Sequence, residues 1–189
     1  MMNIKRIALV MAGITCLAAS TALAAPETVS IKSANKDSVE SVQVLKTKDN
    51  GYYQYYNDKY GYVIDIPKAA TQADMTAEGD GCYFQDPKDK AVFMTYAAKN
   101  TLNFTADELC NMDIGVNGSP ELTTNIRTKN SYAIGWTNGK QSYYHELYIN
   151  EKNQTYTAFS VVYPTEQKDK YTAIINHMAR SFVPNGVKM

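Results

Sequence analysis

The two histidines are the side chains best suited to acid–base catalysis near neutral pH. His145 lies in the strand-like segment Tyr143-Tyr144-His145-Glu146, and His177 lies in a helical segment, off its apolar stripe. Nucleophilic catalysis needs a nucleophile beside a base that a third group orients. The sequence contains no Gly-x-Ser-x-Gly elbow, P-loop or His-Glu-x-x-His motif. We therefore interpret His145 as a half-exposed strand residue and His177 as a solvated helix residue, and we predict that the chain is not an enzyme.

Three aspartates, Asp80, Asp86 and Asp89, bracket one short predicted hairpin and offer the oxygen atoms that a hard cation needs. Their spacing matches no recognised calcium loop, and aspartate is common in turns that bind no metal. The histidines and cysteines of the chain also lack the paired spacing of a zinc site. We interpret the aspartates as turn residues and predict no metal and no cofactor.

Two cysteines, Cys82 and Cys110, remain once the export signal described below is removed. Thiols of exported proteins tend to be oxidised, so the first interpretation is a disulfide between them. In the chain-entropy model such a bond stabilises the fold by roughly 3 to 4 kcal/mol. Two buried thiols are the alternative, and a reactive pair is a weaker one because the Cys-x-x-Cys spacing is absent.

Tyrosine is unusually frequent, with 15 residues against 5 phenylalanines and 1 tryptophan. Rigid, amphipathic tyrosine rings are favoured in binding surfaces, although tyrosine is also a good strand former. Alternation along the first strand places Tyr53 and Tyr55 on one face and their even-numbered neighbours on the other, so one set should be core and the other partly exposed. The candidate binding patch comprises Tyr52, Tyr53, Tyr55, Tyr56, Tyr60, Trp136, Tyr143 and Tyr144.

Residues 1–24 have the three parts of an export signal: a charged start, an apolar run over residues 7–19, and Ala22-Leu23-Ala24 before the cleavage point. The apolar run is shorter than the roughly 20 residues that cross a membrane as a helix. We therefore predict an exported protein, periplasmic or extracellular, with no membrane span.

The charges of the chain balance, with 19 Lys and Arg against 19 Asp and Glu. Removing the predicted signal, which contains basic but no acidic residues, leaves a formal charge of −2. This balance argues against binding of nucleic acid through bulk charge.

The segment that follows the signal, residues 25–50, is rich in Ser, Lys, Asp and Glu. Its only apolar pattern is a weak one at Val39, Val42 and Leu45. This composition predicts a flexible leader. Residues 51–187 are then predicted to form a single domain.

The domain begins with two predicted hairpins. The segment from Asn57 to Pro67 combines a turn, an alternating strand and a stop, and the tyrosine-rich residues before it supply its partner strand. Cys82–Gln85 and Ala91–Ala98 form the second hairpin. Three side chains share one face of its second strand: Val92, Met94 and Tyr96.

The second half of the domain reads as helix, meander and helix. Thr105 and Glu108 form a capping box that starts the first helix. Asn138-Gly139 is the strongest hairpin signal, because both residues accept positive φ in a type I′ turn. The four predicted strands cover about residues 121–128, 131–137, 140–150 and 155–163. The last helix has an apolar stripe at Tyr171, Ile174, Ile175, Met178 and Phe182.

These elements predict an α+β fold, with an antiparallel sheet of about six to eight strands covered by two helices. Several segments resemble exported bacterial proteins with the Mog1/PsbP-like fold, over about residues 50–185. They are Asn57–Pro67, Gly79-Asp80-Gly81, Ser160–Pro164 and Ser181–Pro184. The resemblance implies a docking module, as in the extrinsic subunit on the lumenal side of photosystem II or a Ran-binding factor. No partner-contacting residue of those relatives can be assigned to a position here.

The sequence and the resemblance together predict a non-enzymatic docking or assembly module of the cell envelope, whose partner is an envelope protein. The alternative is a module that binds a glycan, such as a cell-wall fragment, or a small ligand, with aromatic rings stacking on the sugar. A hydrolase that uses His145 is the third hypothesis.

Overall fold

The computed structural model describes residues 27–35 and 40–184. The predicted signal peptide, residues 1–24, lies outside the described residues. Within these ranges the chain forms eleven strands and two α-helices. The strands are β1 (Thr28–Lys32), β2 (Ser41–Lys46), β3 (Tyr52–Asn57), β4 (Tyr62–Pro67), β5 (Gln72–Met75), β6 (Gly81–Asp86), β7 (Ala91–Lys99), β8 (Leu122–Arg127), β9 (Ser131–Asn138), β10 (Gln141–Asn150) and β11 (Thr155–Pro164), and the helices are α1 (Ala106–Val116) and α2 (Lys168–Ser181).

All eleven strands belong to one sheet, in the order β4-β3-β2-β1-β5-β6-β7-β11-β10-β9-β8. The neighbours are antiparallel except β1 and β5, which run parallel and meet at Lys32 and Gln72. Strand β7 joins the two halves of the sheet, because it pairs with β6 on one side and with β11 on the other. The predicted α+β class with an antiparallel sheet is confirmed, but the sheet has more strands than the six to eight expected.

The strands β1 and β2 differ from the flexible leader predicted for residues 25–50. They pair with each other in an antiparallel hairpin, and β2 also pairs with β3. Ile31, Val42 and Val44 are buried on one side of this hairpin. The valines of β2 are therefore spaced two residues apart, as in a strand with one buried face. The high polar content of the segment made this strand pattern hard to recognise in the sequence.

The inner face of the sheet packs on α2. Phe182, directly after α2, lies with its ring centroid 6.4 Å from that of Tyr62 in β4 and 5.7 Å from that of Tyr148 in β10. Since β4 and β10 are far apart in the strand order, the sheet curls around the helix. The enclosed inner core includes Val44, Ile64, Ile66, Phe84, Phe93, Phe159, Val161, Tyr171 and Met178.

The outer face of the sheet is partly covered by α1. The predicted capping box is confirmed, because Glu108 N–H donates to Thr105 Oγ1 at 3.2 Å and Thr105 N–H donates to the Glu108 carboxylate at 2.8 Å. Neither of the helices described is long and apolar enough to cross a membrane. The outer core beneath α1 comprises Ala106, Cys110, Tyr132, Ile134, Trp136, Leu147 and Ala158.

The two cysteines lie on opposite faces of the sheet. Cys82 belongs to the inner core and Cys110 to the outer core, and both are free, fully buried thiols. The predicted disulfide between them is therefore wrong in this structure. The reason is topological, because Cys82 is held in β6 on the inner face, whereas α1 holds Cys110 on the other side of the sheet.

Both thiols are expected to resist alkylation in the folded protein, because they are fully buried and because burial raises the pKa of each. In denaturant without reductant, both should react. Intact mass with peptide mapping measures this outcome. Alkylation of Cys82 and Cys110 only after treatment with a reductant would contradict it.

Candidate functional site

The candidate site is built around His145 in the middle of β10. Strand alternation directs His145 and its neighbour Tyr143 to the outer face, beside α1. The register with β11 places Ser160 directly opposite His145. Ser160 Oγ lies 2.6 Å from His145 Nδ1, which is a short hydrogen bond between cross-strand neighbours.

The last turn of α1 brings a carboxylate to the other ring nitrogen. Asp113 Oδ2 lies 3.2 Å from His145 Nε2, and the same oxygen accepts a hydrogen bond from the Tyr132 hydroxyl. The contact at Nε2 is close enough for an ion pair, but its direction does not make a hydrogen bond, so Nε2 is buried without a hydrogen-bond partner among the described residues. His145 is only 8% exposed, so the predicted half-exposed position is wrong.

Burial lowers the pKa of His145 from its ordinary value near 6.5, and the neighbouring carboxylate of Asp113 only partly opposes this effect. The imidazole is therefore neutral at pH 7. A neutral imidazole carries a single N–H, so Nδ1 either accepts a hydrogen bond from the Ser160 hydroxyl or donates one to Ser160 Oγ, depending on which nitrogen carries the proton.

His145 is expected to make the free energy of unfolding fall as the pH drops below about 6.5. Its contribution to this fall is at most about 1.4 kcal/mol per pH unit. The sign follows because the unfolded state binds the proton at a higher pH than the folded state does. The charged group that faces the ring is Asp113 from α1, and the other neighbours are the Tyr96 and Tyr132 rings. Urea unfolding of the wild type and of His145→Gln at pH 7.5 and 5.5 measures the difference. Equal pH dependence of the two proteins would contradict the expectation.

A cavity of about 270 Å³ opens beside this cluster, between the end of α1 and the outer face of the sheet. Its aromatic wall is a stacked pair, Trp136 and Tyr143, with ring centroids 5.0 Å apart and planes 3° from parallel. The polar groups at the cavity come from Asp113, Asn117, His145 and Ser160, and its apolar walls include Met94, Ile134 and Val162.

The residue types Ser160, His145 and Asp113 match those of a hydrolase triad, but the backbone around them does not suit acyl transfer. Ser160 pairs with Met94 of β7 on one side and with His145 of β10 on the other. The backbone N–H groups around the serine are therefore committed to the sheet and cannot form an oxyanion hole beside its hydroxyl. This arrangement suits the binding of a polar group better than nucleophilic catalysis.

A half-exposed apolar surface continues from the cavity across the outer face of the sheet. Cross-strand register places Tyr83 beside Met94, and Val92 beside Val162, which in turn lies beside Tyr143. Tyr83 is 41% exposed, and the other members are half-buried. We call this surface the open strip, and it comprises Tyr83, Val92, Met94, Tyr143 and Val162.

No family model and no curated protein matches the chain. Among solved structures, the chain is similar to the solution structure of cyanobacterial PsbP (CyanoP) from Synechocystis sp. PCC 6803. The match has a TM-score of 0.51 at 12% sequence identity, and it covers 71% of this chain and 92% of the cyanobacterial one. The chain has a PsbP-like fold. The fold that the sequence segments predicted by resemblance is thus confirmed.

The PsbP-like sheet divides the predicted tyrosine patch between its two faces. Tyr53 and Tyr55 point to the inner core, and Tyr55 is only 3% exposed. Tyr144 also faces the inner core, where its hydroxyl donates to the Glu146 carboxylate at 2.6 Å. Tyr60 packs against the same core and is half-buried. These four tyrosines do not form one outward surface.

The remaining members of the predicted patch lie on the outer face, at two separate places. Trp136 and Tyr143 flank the cavity, and Tyr143 belongs to the open strip. Tyr56 is 38% exposed on β3. Tyr52 stacks on His177, with ring centroids 3.6 Å apart. The structure thus separates the β3 tyrosines from the cavity pair, which the sequence placed in one patch.

His177 differs from the solvated helix residue that the sequence predicted. Its Nε2 lies 2.9 Å from Asp65 Oδ2, and its ring is stacked against Tyr52. It therefore fixes the end of α2 to β4 and is not part of the cavity.

The three aspartates of the predicted turn take structural roles. Asp86 Oδ1 accepts hydrogen bonds from the backbone of Lys88 and Asp89, and Asp80 Oδ1 accepts one from the Thr76 hydroxyl at 2.6 Å. Asp89 also pairs with Lys170 of α2. Among the residues described, no group of three His, Cys, Asp or Glu could hold a metal ion.

Proposed function

We propose that the chain is an exported, non-enzymatic docking module that binds a protein of the cell envelope through the open strip. The observation that carries the proposal is the apolar character of this strip, which spans β6, β7, β11 and β10 beside α1. Contiguous apolar surface of this kind is typical of interaction sites, since isolated apolar side chains are the rule elsewhere on protein surfaces.

Three other strands of the same face support the proposal by contrast. On β1, β2 and β5 the outward positions are mainly polar, as expected for a sheet face in contact with water. They include Thr28, Ser30, Lys32, Ser41, Gln43, Gln72 and Asp74. The outward positions of these three strands are thus more polar than the strip, with Leu45 as an apolar exception.

The PsbP-like fold and the sequence of residues 1–24 support the rest of the proposal. The fold is the one whose resemblance implied docking, and the predicted export signal would place the domain with partners in the envelope. The committed backbone around Ser160 supports a non-enzymatic role.

A second candidate function is the binding of a glycan or small ligand. The cavity of about 270 Å³ with its stacked Trp136–Tyr143 wall favours it, because aromatic rings beside polar groups suit such ligands. This function would use the cavity rather than the whole strip.

Replacing two strip residues by polar side chains of similar size, Met94→Gln with Val162→Thr, is expected to reduce capture of the protein partner at least tenfold. Polar replacement of two apolar side chains near the centre of an interface typically weakens binding by about 1.4 kcal/mol or more. The measurement is quantitative cross-linked capture from the envelope extract of the host.

The matched control for this experiment is Leu45→Gln with Val63→Thr, which makes similar changes at half-buried positions of the outer face outside the strip. Equal capture of one partner by both double variants would contradict docking through the strip. Enrichment of glycan without protein by the wild type would favour the second candidate.

A further inference from the structure

We propose that the cavity at the end of α1 binds a primary alkylammonium group, with Asp113 as its counter-ion. This inference does not require docking, although the cavity between α1, β7, β9, β10 and β11 shares Met94, Tyr143 and Val162 with the open strip. Three features carry it: the charge of the cavity, its free hydrogen-bond acceptors and its aromatic wall.

The charge at the cavity is negative. Asp113 supplies a carboxylate, and within the described part of the chain no lysine or arginine lines the cavity. The neighbouring His145 is buried and neutral, and its Nε2 makes no hydrogen bond to the carboxylate. Asp113 also lies in the last turn of α1, which contains no basic residue, so the negative end of the helix dipole adds to its charge.

The free acceptors at the cavity suit a ligand that only donates hydrogen bonds. The contacts from Tyr132 and His145 both involve Asp113 Oδ2, which leaves Oδ1 open to a ligand. Ser160 Oγ shares a hydrogen bond with His145 Nδ1, and whichever atom donates, at least one of the two lone pairs of the hydroxyl oxygen stays open to a ligand. An ammonium group has three donors and no acceptor, so it complements these oxygens.

The walls of the cavity suit the alkyl part of the ligand. Trp136 and Tyr143 present ring surface on which a cation is attracted, and Met94, Ile134 and Val162 are apolar. A volume of about 270 Å³ is about nine times the share of one water molecule in the liquid, so a four-carbon amine fits inside.

The test is a titration of the full chain with n-butylammonium chloride, followed by NMR chemical shifts at pH 7.5. A ligand of this size should bind with a dissociation constant on the order of 1 mM. The neutral isostere butan-1-ol should bind at least tenfold more weakly. The shifts should be largest at residues that line the cavity.

Two variants separate the ion pair from a general effect on the fold. Asp113→Asn, which keeps an oxygen acceptor for Tyr132, should weaken butylammonium binding at least tenfold. Asp107→Asn is the matched control on the same helix, outside the cavity, and should leave binding unchanged. If Asp113→Asn fails to fold, Ser160→Ala removes one acceptor instead and should weaken binding at least threefold.

The source of the ammonium group is distinguished by a second ligand, Nα-acetyl-lysine methylamide. Binding equal to that of butylammonium would indicate a lysine side chain of a protein, whereas much weaker binding would indicate a free amine. Equal affinity for butylammonium and butan-1-ol, or unchanged binding by the folded cavity variants, would overturn the proposal. Either result would leave docking through the open strip unaffected.

Discussion

Gly81→Ala is expected to destabilise the protein by about 3 kcal/mol, because a methyl group has no room at this position. Gly81 begins β6 opposite Tyr96 of β7. A Cβ there would lie 2.3 Å from the carbonyl oxygen of Thr95 and 2.8 Å from Tyr96 Cβ. These neighbours belong to the backbone, or are fixed directly to it, so β6 and β7 would have to separate.

The cost should be large because β7 joins the two halves of the sheet. Chemical unfolding followed by circular dichroism measures it. The matched control is Gly115→Ala in α1, where the added Cβ meets no atom within 4 Å in the described part of the chain. That change should stabilise the protein by up to about 1 kcal/mol, because alanine favours a helix more than glycine does. A loss below about 1 kcal/mol for Gly81→Ala would contradict the close approach of the two strands.

Phe159→Ala should cost about 4 kcal/mol, the second large effect expected. Phe159 is fully buried in β11 on the inner face. Its ring centroid lies 5.2 Å from that of Phe182, which follows α2, and 5.8 Å from that of Tyr144. The substitution therefore leaves a cavity at the point where the curled sheet closes on α2.

The same unfolding measurement tests the effect of Phe159→Ala. Leu102→Ala is the control, because Leu102 is largely exposed and its replacement should change stability by less than about 0.5 kcal/mol. Similar losses for the two variants would show that the inner core does not close at Phe159.

The elements that follow local rules could be predicted from the sequence. A tight turn joins β9 and β10 where Asn138-Gly139 predicted one, but Asn138 pairs with Gln141, so the two turn residues are Gly139 and Lys140. Only Gly139 has positive φ, so the predicted type I′ turn with positive φ at Asn138 and Gly139 is wrong. The capping box at Thr105 starts α1, as predicted. The apolar stripe of α2 is also confirmed, with Tyr171 and Met178 fully buried.

The elements that depend on distant partners could not be predicted in this way. Strand β5 has a single buried residue, Ala73, so its sequence carries almost no alternation signal. Strands β1 and β2 are polar enough to suggest a leader, and the sheet on which they pack gives them their structure.

The candidate site shows the same limit. Aligning the predicted strands β10 and β11 as a hairpin would have placed Ser160 opposite His145. The contact between these two residues could therefore have been predicted from the sequence. Asp113 comes from a helix and Tyr132 from another strand, and only the packing of α1 on the sheet brings them to the histidine. The open strip could not be predicted from the sequence for a similar reason. Alternation grouped Val92 and Met94, but it could not show which part of the face α1 leaves uncovered.

Site-specific photo-cross-linking tests docking through the open strip most directly. A photoreactive phenylalanine analogue replaces Tyr83 in the strip or, as the control, Tyr56 on β3, outside the strip. The two positions have similar exposure, 41% and 38%. Irradiation in the native envelope should give one dominant protein adduct from position 83 and none from position 56. The same adduct in equal yield from both positions, or no adduct from position 83, would contradict the account.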